Sequence, residues 1–404
     1  LIVIDGVEAS SGDLNALDPE VIESFSILKD ATATAMYGTR GANGVMIVNT
    51  KSGANLEKAA ISARVEAYVS MPNRLPKYAD GVTYMELYNE AATNYGVGGA
   101  LYSQDKIEGT RAGVDPYLYP NVDWYDEIFK DASFNQRVNF NVRGGSQRID
   151  YFVNANVNHE TGMIRGRSSE FYSYDNNVDI MRYTLQTNIN AHLTKTATLS
   201  MNLGVELRDE HGPATDADTG NINYLFNSVS ANNPVDYPTF FPIGSSVNKW
   251  GTTSDYVKWG GYNGGNVAGG NNPLAELTKG YRDTFESTVR ANIRYKQKLD
   301  FITKGLSFNA LLSFKNWSQT WNRRQRSYNR YYVQEGNGTD YLLNLVGNTT
   351  ESNSTLTNTN SSTGNRSIYF QAFLNYERTF ANVHNIAAMI LYNQDQFDKN
   401  APDN

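Results

Sequence analysis

The sequence predicts an all-β transmembrane barrel with a small α/β domain in front of it. The segment from Leu28 to Gly53 contains the signals of a short helix, a glycine-rich bend and a buried strand. After Gly53 the chain consists of long segments in which apolar and polar residues alternate, as in strands with two different faces. No apolar run approaches the roughly 20 residues of a membrane-spanning helix. These observations predict a plug domain followed by membrane-crossing strands.

Residues 1–56 are expected to be the C-terminal part of the plug domain. Leu1 to Asp5 is predicted to be a strand that ends in a turn. Asp18 is followed by proline, which favours a short helix because proline is tolerated at the first helical position. Ser24 to Leu28 and Val45 to Val48 are predicted strands, and Asp30 is the expected N-cap of a second short helix.

Residues 57–404 are expected to be the N-terminal part of the barrel, with long extracellular loops. They are expected to contain about nine strands, because the period-two alternation recurs about that often. From Ile149 to Val157, for example, every odd position is apolar. A soluble sandwich is the alternative, but its strands average about five or six residues, whereas these exceed the roughly 9–11 needed to cross a bilayer. Short turns alternate with long loops, as in outer-membrane barrels. The tract from Asn348 to Asn365 has no hydrophobic period and is expected to be mobile.

The alternation also assigns the two faces of the predicted wall. The residues expected to face lipid are Leu185, Ile189, Leu203 and Ile293. The residues expected to face the lumen are Asn188, Asn190, Asn202 and Arg294.

Composition argues against several other functions. Without cysteine the chain can form neither a disulfide nor a thiolate site, and its four histidines lack ligand spacing, so no metal site is predicted. A net charge of −7 with interspersed signs argues against nucleic-acid binding. The catalytic motifs of common hydrolases and nucleotide-binding enzymes are absent, and no carboxylate pair stands out. We therefore predict no enzyme activity and no cofactor.

Several stretches in one order resemble a known family of transporters. They include LIVIDGV, LDPEVIESFSILKDATATAMYG and RGANGVMIVNTKSG near the N-terminus, then VDWYDEIF, NVRGGSQRIDYFVNANVNHETGMI, NPLAEL and FITKGLSF. The chain resembles TonB-dependent outer-membrane transporters, and is most similar to the SusC/RagA branch of Bacteroidetes-type bacteria. The resemblance implies a barrel of about 22 strands when intact, with a plugged lumen. Because the first residues already read as a strand, we expect this chain to be an internal piece of such a protein.

The resemblance implies TonB-dependent active import of a nutrient across the outer membrane. The implied cargo is an oligosaccharide or, in some members, a peptide. The implied partners are a SusD-like surface lipoprotein, the TonB–ExbB–ExbD complex and outer-membrane lipid. Two other readings stay open: a passive porin, against which the α/β unit argues, and an aromatic-rich glycan-binding β-protein without transport.

Two groups of residues are candidate sites. Arg40 and Asn43 are expected at the plug–barrel interface, where Arg40 either pairs with a barrel-wall carboxylate or contributes to movement of the plug. The long loop from Glu210 to Gly280 carries Trp250, Tyr256, Trp259 and Tyr262, which are candidates for contact with the substrate or the lipoprotein. The alternative is that these aromatic side chains pack the loop upon itself.

Overall fold

The computed structural model describes the chain except for residues 16, 30–38, 54, 55, 57, 75, 97–100, 215–222, 242–256, 263–270, 336–340, 348–354, 382 and 401–404. The predicted helix after Asp30 therefore lies outside the described residues. None of the helices in the described part is long and apolar enough to cross a membrane.

In its described residues the N-terminal domain is a four-stranded sheet with one short α-helix. Its elements are β1 (Ile2–Ile4), β2 (Val7–Ala9), helix α1 (Ser11–Asn15), β3 (Ile22–Leu28) and β4 (Val45–Thr50). The strand order is β2-β1-β4-β3, with β1 and β4 parallel. Val3, Val45 and Val48 of the two central strands are at most 1% exposed, so they form the core of this small domain. The predicted helix at Asp18 is one 3-10 turn, Pro19–Val21, which Asp18 caps.

Nine long strands form a second, antiparallel sheet, here called the wall. They are β5 (Ala60–Ser70), β6 (Ser133–Gly145), β7 (Ile149–Thr161), β8 (Asp179–His192), β9 (Ala197–Pro213), β12 (Gly280–Lys298), β13 (Leu306–Gln325), β16 (Thr357–Phe380) and β17 (His384–Asn400). Four short strands that are not part of the wall lie between these along the chain: β10 (Phe240–Phe241), β11 (Lys258–Gly260), β14 (Arg330–Glu335) and β15 (Tyr341–Leu345). Each wall strand pairs with the next wall strand along the chain. The predicted count of nine is confirmed. The boundary at residues 56 and 57 falls in the link between Thr50 and Ala60 and stays a prediction.

The two faces of the wall follow the predicted alternation. Leu185 and Ile293 are 40% and 45% exposed on the outer face, and the register places Ile189 and Leu203 on that face too. The opposite face touches the N-terminal domain: Asn188 donates to Thr50, and Arg294 donates to the main-chain carbonyl of Asp5. The lumen assignment is therefore confirmed, and the N-terminal domain lies against the inner face of the wall.

The loops at one end of the wall fold into a cap. It contains α2 (Gly81–Asn94), α3 (Gln104–Ala112), α4 (Trp124–Ile128), α5 (Asn223–Ala231) and α6 (Pro273–Thr278). The four short strands form a separate sheet, in the order β10-β11-β14-β15. A buried cluster that includes Trp124, Ile128, Leu225 and Leu274 joins segments from three different loops.

The tract from Asn348 to Asn365 shows no strand signal in the sequence, yet its described part from residue 357 onward is a strand. Residues 357–365 belong to β16 and pair with residues 317–325 of β13. Side chains here are polar on both faces, so no hydrophobic period marks the strand. Main-chain hydrogen bonds to β13 hold it, and these bonds do not depend on apolar side chains.

We predict that the outer face tolerates charge far less well than the inner face. In the full-length protein, Leu185→Arg should lower stability by about 2–4 kcal/mol, because it places arginine on the lipid face near mid-strand. The neighbouring change Gln186→Arg, on the lumen face, is the matched control. Refolding yield and denaturant stability in lipid vesicles measure both, and equal values would contradict the assignment of faces.

Candidate functional site

The N-terminal domain and the wall meet in a polar contact, here called the plug–wall contact. The N-terminal domain contributes Asp5, Asp13, Asp18, Glu20 and Thr50. The wall contributes lumen-facing side chains of β5, β6, β8, β12 and β13. The contact thus joins one small domain to five separate strands.

Asp13 binds two cationic side chains of the wall. Its Oδ1 lies 2.7 Å from the Lys315 ammonium and 2.9 Å from the Arg290 guanidinium, and its side chain is 8% exposed. Ser10 fixes the carboxylate from within the domain, since its main-chain N–H and its hydroxyl both donate to Oδ2. The hydroxyl of Ser10 also accepts from the Asp13 N–H, so the two residues form a capping box at the start of α1.

The charge on Asp13 is stable over the neutral range. Burial raises the pKa of its carboxyl, but hydrogen bonds from Lys315 and Ser10 and the charge of Arg290 outweigh burial, so the pKa lies below its ordinary 3.8. A lowered folded-state pKa means that the ionised group stabilises the fold above the unfolded pKa. This contribution is lost only when the pH falls through the lowered folded-state pKa.

The turn between β1 and β2 gives the second point of contact. Gly6 has φ of +80°, and the Arg294 guanidinium occupies the space that a β-carbon would need. Arg294 donates to the carbonyl of Asp5, while the Asp5 carboxylate accepts from the N–H and the hydroxyl of Thr50 at 2.9 and 2.7 Å. Burial raises the pKa of Asp5 more than these hydrogen bonds and Arg294 lower it. The turn is therefore shaped around a wall side chain.

Asp18 and Glu20 bind wall strands β6 and β5, away from the strands β12 and β13 that Asp13 binds. Asp18 accepts from the Arg137 guanidinium and, at 3.2 Å, from the amide of Asn139, while it also caps the 3-10 turn. Glu20 forms an ion pair of 2.7 Å with Arg64 of β5. One short turn of the N-terminal domain therefore reaches both β5 and β6.

The end of β4 and the residues just after it lie close to the wall. The amide of Asn188 donates to the Thr50 hydroxyl and to the Lys51 carbonyl, both at 2.7 Å. Three residues after Thr50, the main chain at Gly53 lies so close to β6 and β7 that a β-carbon would overlap the carbonyl oxygens of Gly144 and Tyr151. Only glycine fits this position without displacing a main chain.

The structure contradicts one of the two roles predicted for Arg40, the ion pair with a barrel-wall carboxylate. Arg40 pairs with Glu8 of β2 and not with a barrel-wall carboxylate, and both side chains are about half exposed. Arg40 does line a cavity of about 220 Å³ between the two sheets, together with Asp13, Arg290 and Lys315. Asn43 is exposed, and the described residues show no side-chain hydrogen bond from it to the wall. Their role in plug movement stays a prediction.

Sequence reasoning missed Asp13, Asp18, Arg290 and Lys315. A local signal existed for the first two, since Ser10 and Asp13 have capping-box spacing and Asp18 precedes proline. The alternation also placed the even positions of β12 in the lumen. No signal indicated which lumen residue meets which carboxylate, because Asp13 and Lys315 are 302 positions apart.

The candidate aromatic residues of the long loop have different environments. Trp250 and Tyr256 lie outside the described residues. Trp259 is 1% exposed and packs edge-on against Phe171, so the structure favours the packing alternative for this residue. Tyr262 is 38% exposed and is still a candidate for contact with a ligand or partner.

The fold and the plug–wall contact define a class of protein, namely an outer-membrane β-barrel with an N-terminal plug. Residues 1–45 match the family described as TonB-dependent Receptor Plug Domain. Over 183 residues the chain is 32% identical to TonB-dependent receptor P26 of Formosa agariphila, which covers 45% of this chain and 17% of that protein. Over 203 residues it is 29% identical to TonB-dependent receptor SusC of Bacteroides thetaiotaomicron, covering 47% of this chain and 18% of SusC.

A solved structure of similar fold is that of the RagAB peptide transporter. It aligns with a TM-score of 0.67 at 16% identity and covers 99% of this chain and 41% of the other. The chain is therefore similar to TonB-dependent receptors of the SusC/RagA type, and the resemblance seen in the sequence is confirmed. The matches to the two receptors named above span less than a fifth of each receptor's length.

We predict that Asp13→Asn loosens the plug–wall contact in the full-length receptor. The change leaves Arg290 and Lys315 without their carboxylate, and because both cations are partly exposed we expect a cost of about 2–3 kcal/mol. Faster amide hydrogen exchange across Ser10 to Asn15 is the measured result. Glu23→Gln, an exposed change in the same domain, is the control, and equal exchange in both variants would contradict the role of Asp13.

We predict that Trp259 stabilises the cap by packing. Trp259→Ala should cost about 3–5 kcal/mol of cap stability, because a large buried side chain is removed. Trp259→Phe should recover much of it, since an aromatic ring still packs against Phe171. Protease sensitivity of the cap measures the difference, while an alanine variant with an intact cap and lost ligand binding would favour direct contact instead.

Proposed function

We propose that the full-length protein imports an oligosaccharide across the outer membrane by TonB-dependent transport. The observation that carries this proposal is a plug domain seated on the lumen face through ion pairs and hydrogen bonds. The hydrophobic core of the plug is separate from this contact. Such a contact can break and re-form without unfolding the wall, as an energised gate requires.

The choice of an oligosaccharide rests on composition and on the family resemblance of the sequence motifs. The chain has 27 tyrosine residues, whose rings suit stacking on sugars as well as membrane interfaces. SusC, by its name, is a TonB-dependent receptor, and the structure with a similar fold is described as a peptide transporter. At 16% identity that likeness concerns the fold alone and does not identify the cargo of this protein. A peptide is therefore the second candidate cargo, after an oligosaccharide.

The proposed partners follow from the same family. We propose that a SusD-like lipoprotein covers the cap and that the TonB–ExbB–ExbD complex supplies the pulling force. A passive porin would need neither partner. A glycan-binding protein without transport would need no displaceable plug.

Uptake in cells separates these functions. A strain that expresses the full-length receptor should accumulate a fluorescently labelled oligosaccharide, and deletion of tonB should reduce accumulation to background. Deletion of an unrelated outer-membrane protein gene is the control. Accumulation that survives loss of TonB would indicate a porin, and surface binding without accumulation would indicate a binding protein.

A further inference from the structure

One histidine at the cap end of the wall, His211 of β9, lies between two acceptor groups from different elements. Its Nδ1 is 2.6 Å from Oδ1 of Asp283 on β12. Its Nε2 is 3.1 Å from the main-chain carbonyl oxygen of Asp175, in the loop of residues 162–178 that joins β7 to β8. His211 therefore links two wall strands to this loop.

His211 lies beyond the membrane-facing part of its strand. It shares the outer face of β9 with Leu203 and Leu207, and on that face Leu207 is followed by Asp209 and then by His211. Four residues of strand place His211 about 13 Å beyond Leu207, toward the cap. Its side chain is 32% exposed, so it can exchange a proton with water.

The two contacts of His211 together require the protonated ring. A carbonyl oxygen can only accept, so Nε2 must carry a hydrogen atom to bind Asp175. In the neutral ring Nδ1 would then be an acceptor, and it would face the carboxylate of Asp283, which is also an acceptor. The imidazolium donates from both nitrogens at once. Loss of its proton therefore removes one of the two hydrogen bonds.

The surroundings of His211 favour its positive charge. In the described part of the chain, the titratable and charged groups around it are Asp283 and Tyr281 of β12, Asp179 of β8, Asp175 and Tyr174 of the loop, Asp209 of β9 and, bound to the Tyr281 hydroxyl, Arg324 of β13. Burial lowers the pKa of His211. Its hydrogen bonds with Asp283 and Asp175 and the charges of these two residues outweigh burial, so the pKa lies above its ordinary 6.5.

The sign of this shift sets the pH range in which the contact is strong. Because the folded-state pKa is raised, the imidazolium contributes its full stabilisation below the unfolded pKa. This contribution is lost as the pH rises through the folded-state pKa. The link between the loop and the wall is therefore strongest in mildly acidic conditions.

The residues on either side of Asp175 hold the C-terminal end of α6. The hydroxyl of Tyr174 donates to the carbonyl of Thr278 at 2.6 Å, and the amide of Asn176 donates to the carbonyl of Leu277 at 2.7 Å. Such partners matter because the last carbonyls of a helix have none within the helix. Asn176 is fully buried, so this contact lies inside the cap. Residues 174–176 thus connect His211 to a buried helix.

We propose that His211 is a pH-sensitive latch between the wall and the cap. The imidazolium holds residues 174–176 to β9 and β12, and these residues hold the end of α6. At higher pH the neutral ring keeps one of its two hydrogen bonds, so the loop opens more often and the end of α6 is held less firmly. The latch does not depend on which cargo the receptor imports.

Hydrogen–deuterium exchange of the full-length receptor in lipid nanodiscs tests this proposal. Exchange is measured from about pH 5.5 to about pH 8.5, on either side of the ordinary histidine range, and is corrected for the intrinsic effect of pH. Amide protection across Ser168 to Asn177 should fall about fivefold from the acidic to the alkaline limit, the factor that corresponds to one net hydrogen bond. Exchange of the imidazole C2 proton in the same samples follows the titration of His211 itself.

Two variants and a matched control identify the group responsible. His211→Gln should show the low protection at every pH, and Asp283→Asn should move the transition to lower pH, because it removes a negative charge beside the ring. The control is His192→Gln, since His192 also binds a carboxylate, that of Asp150, but at the opposite end of the wall. It should keep the wild-type transition.

Heat-modifiable electrophoretic mobility confirms that each variant is folded. Protection of Ser168 to Asn177 that does not change with pH in the unmodified receptor would overturn the latch. A transition that survives unchanged in His211→Gln, or one that is equally lost in His192→Gln, would overturn it as well.

Discussion

The unbroken register of the wall is the constraint on which the rest of the structure depends. Each of the nine wall strands pairs with its neighbour in the wall without a shift, so each residue's face is fixed by its position. A slip of one residue in β12 would turn Arg290 and Arg294 to the lipid and bring Val289 and Ile293 to the plug. Asp13 would then lose Arg290 and keep only Lys315 of β13 as its cationic partner in the wall. Ionic docking of the plug is thus a consequence of main-chain pairing.

The sequence predicted the wall well because its signal is local and repeated. Leu185 beside Gln186, or Ile293 beside Arg294, reveals the two faces without knowledge of distant residues. The same reasoning failed at residues 357–365, where both faces are polar and only pairing with β13 defines the strand. A period-two signal exists only where the two faces meet different surroundings.

The candidate site was less predictable because its contacts join distant parts of the chain. Arg40 looked like a partner for the wall, yet it pairs with Glu8, 32 positions away in the same domain. Trp259 looked like a surface platform in a polar loop, but it is buried in a cluster that includes helix α4 of another loop, and it packs against Phe171 of a third. Residue type alone does not distinguish these roles. An arginine can form an ion pair within its own domain or with the wall, and a tryptophan can be buried or lie on the surface.

The parallel pairing of β1 with β4 has a mechanical consequence. The far end of β4 is held at Thr50 and Gly53, while a pull from the N-terminal side would act on the start of β1. In parallel strands these two loads run in opposite directions along the pair, so they act in shear. The pairs Ile2–Met46, Val3–Ile47 and Ile4–Val48 then share the tension, whereas a hairpin pulled open at its ends would lose its pairs singly. We expect the plug's central sheet to resist tension as one unit, and the separate ionic contacts to the wall to yield before it.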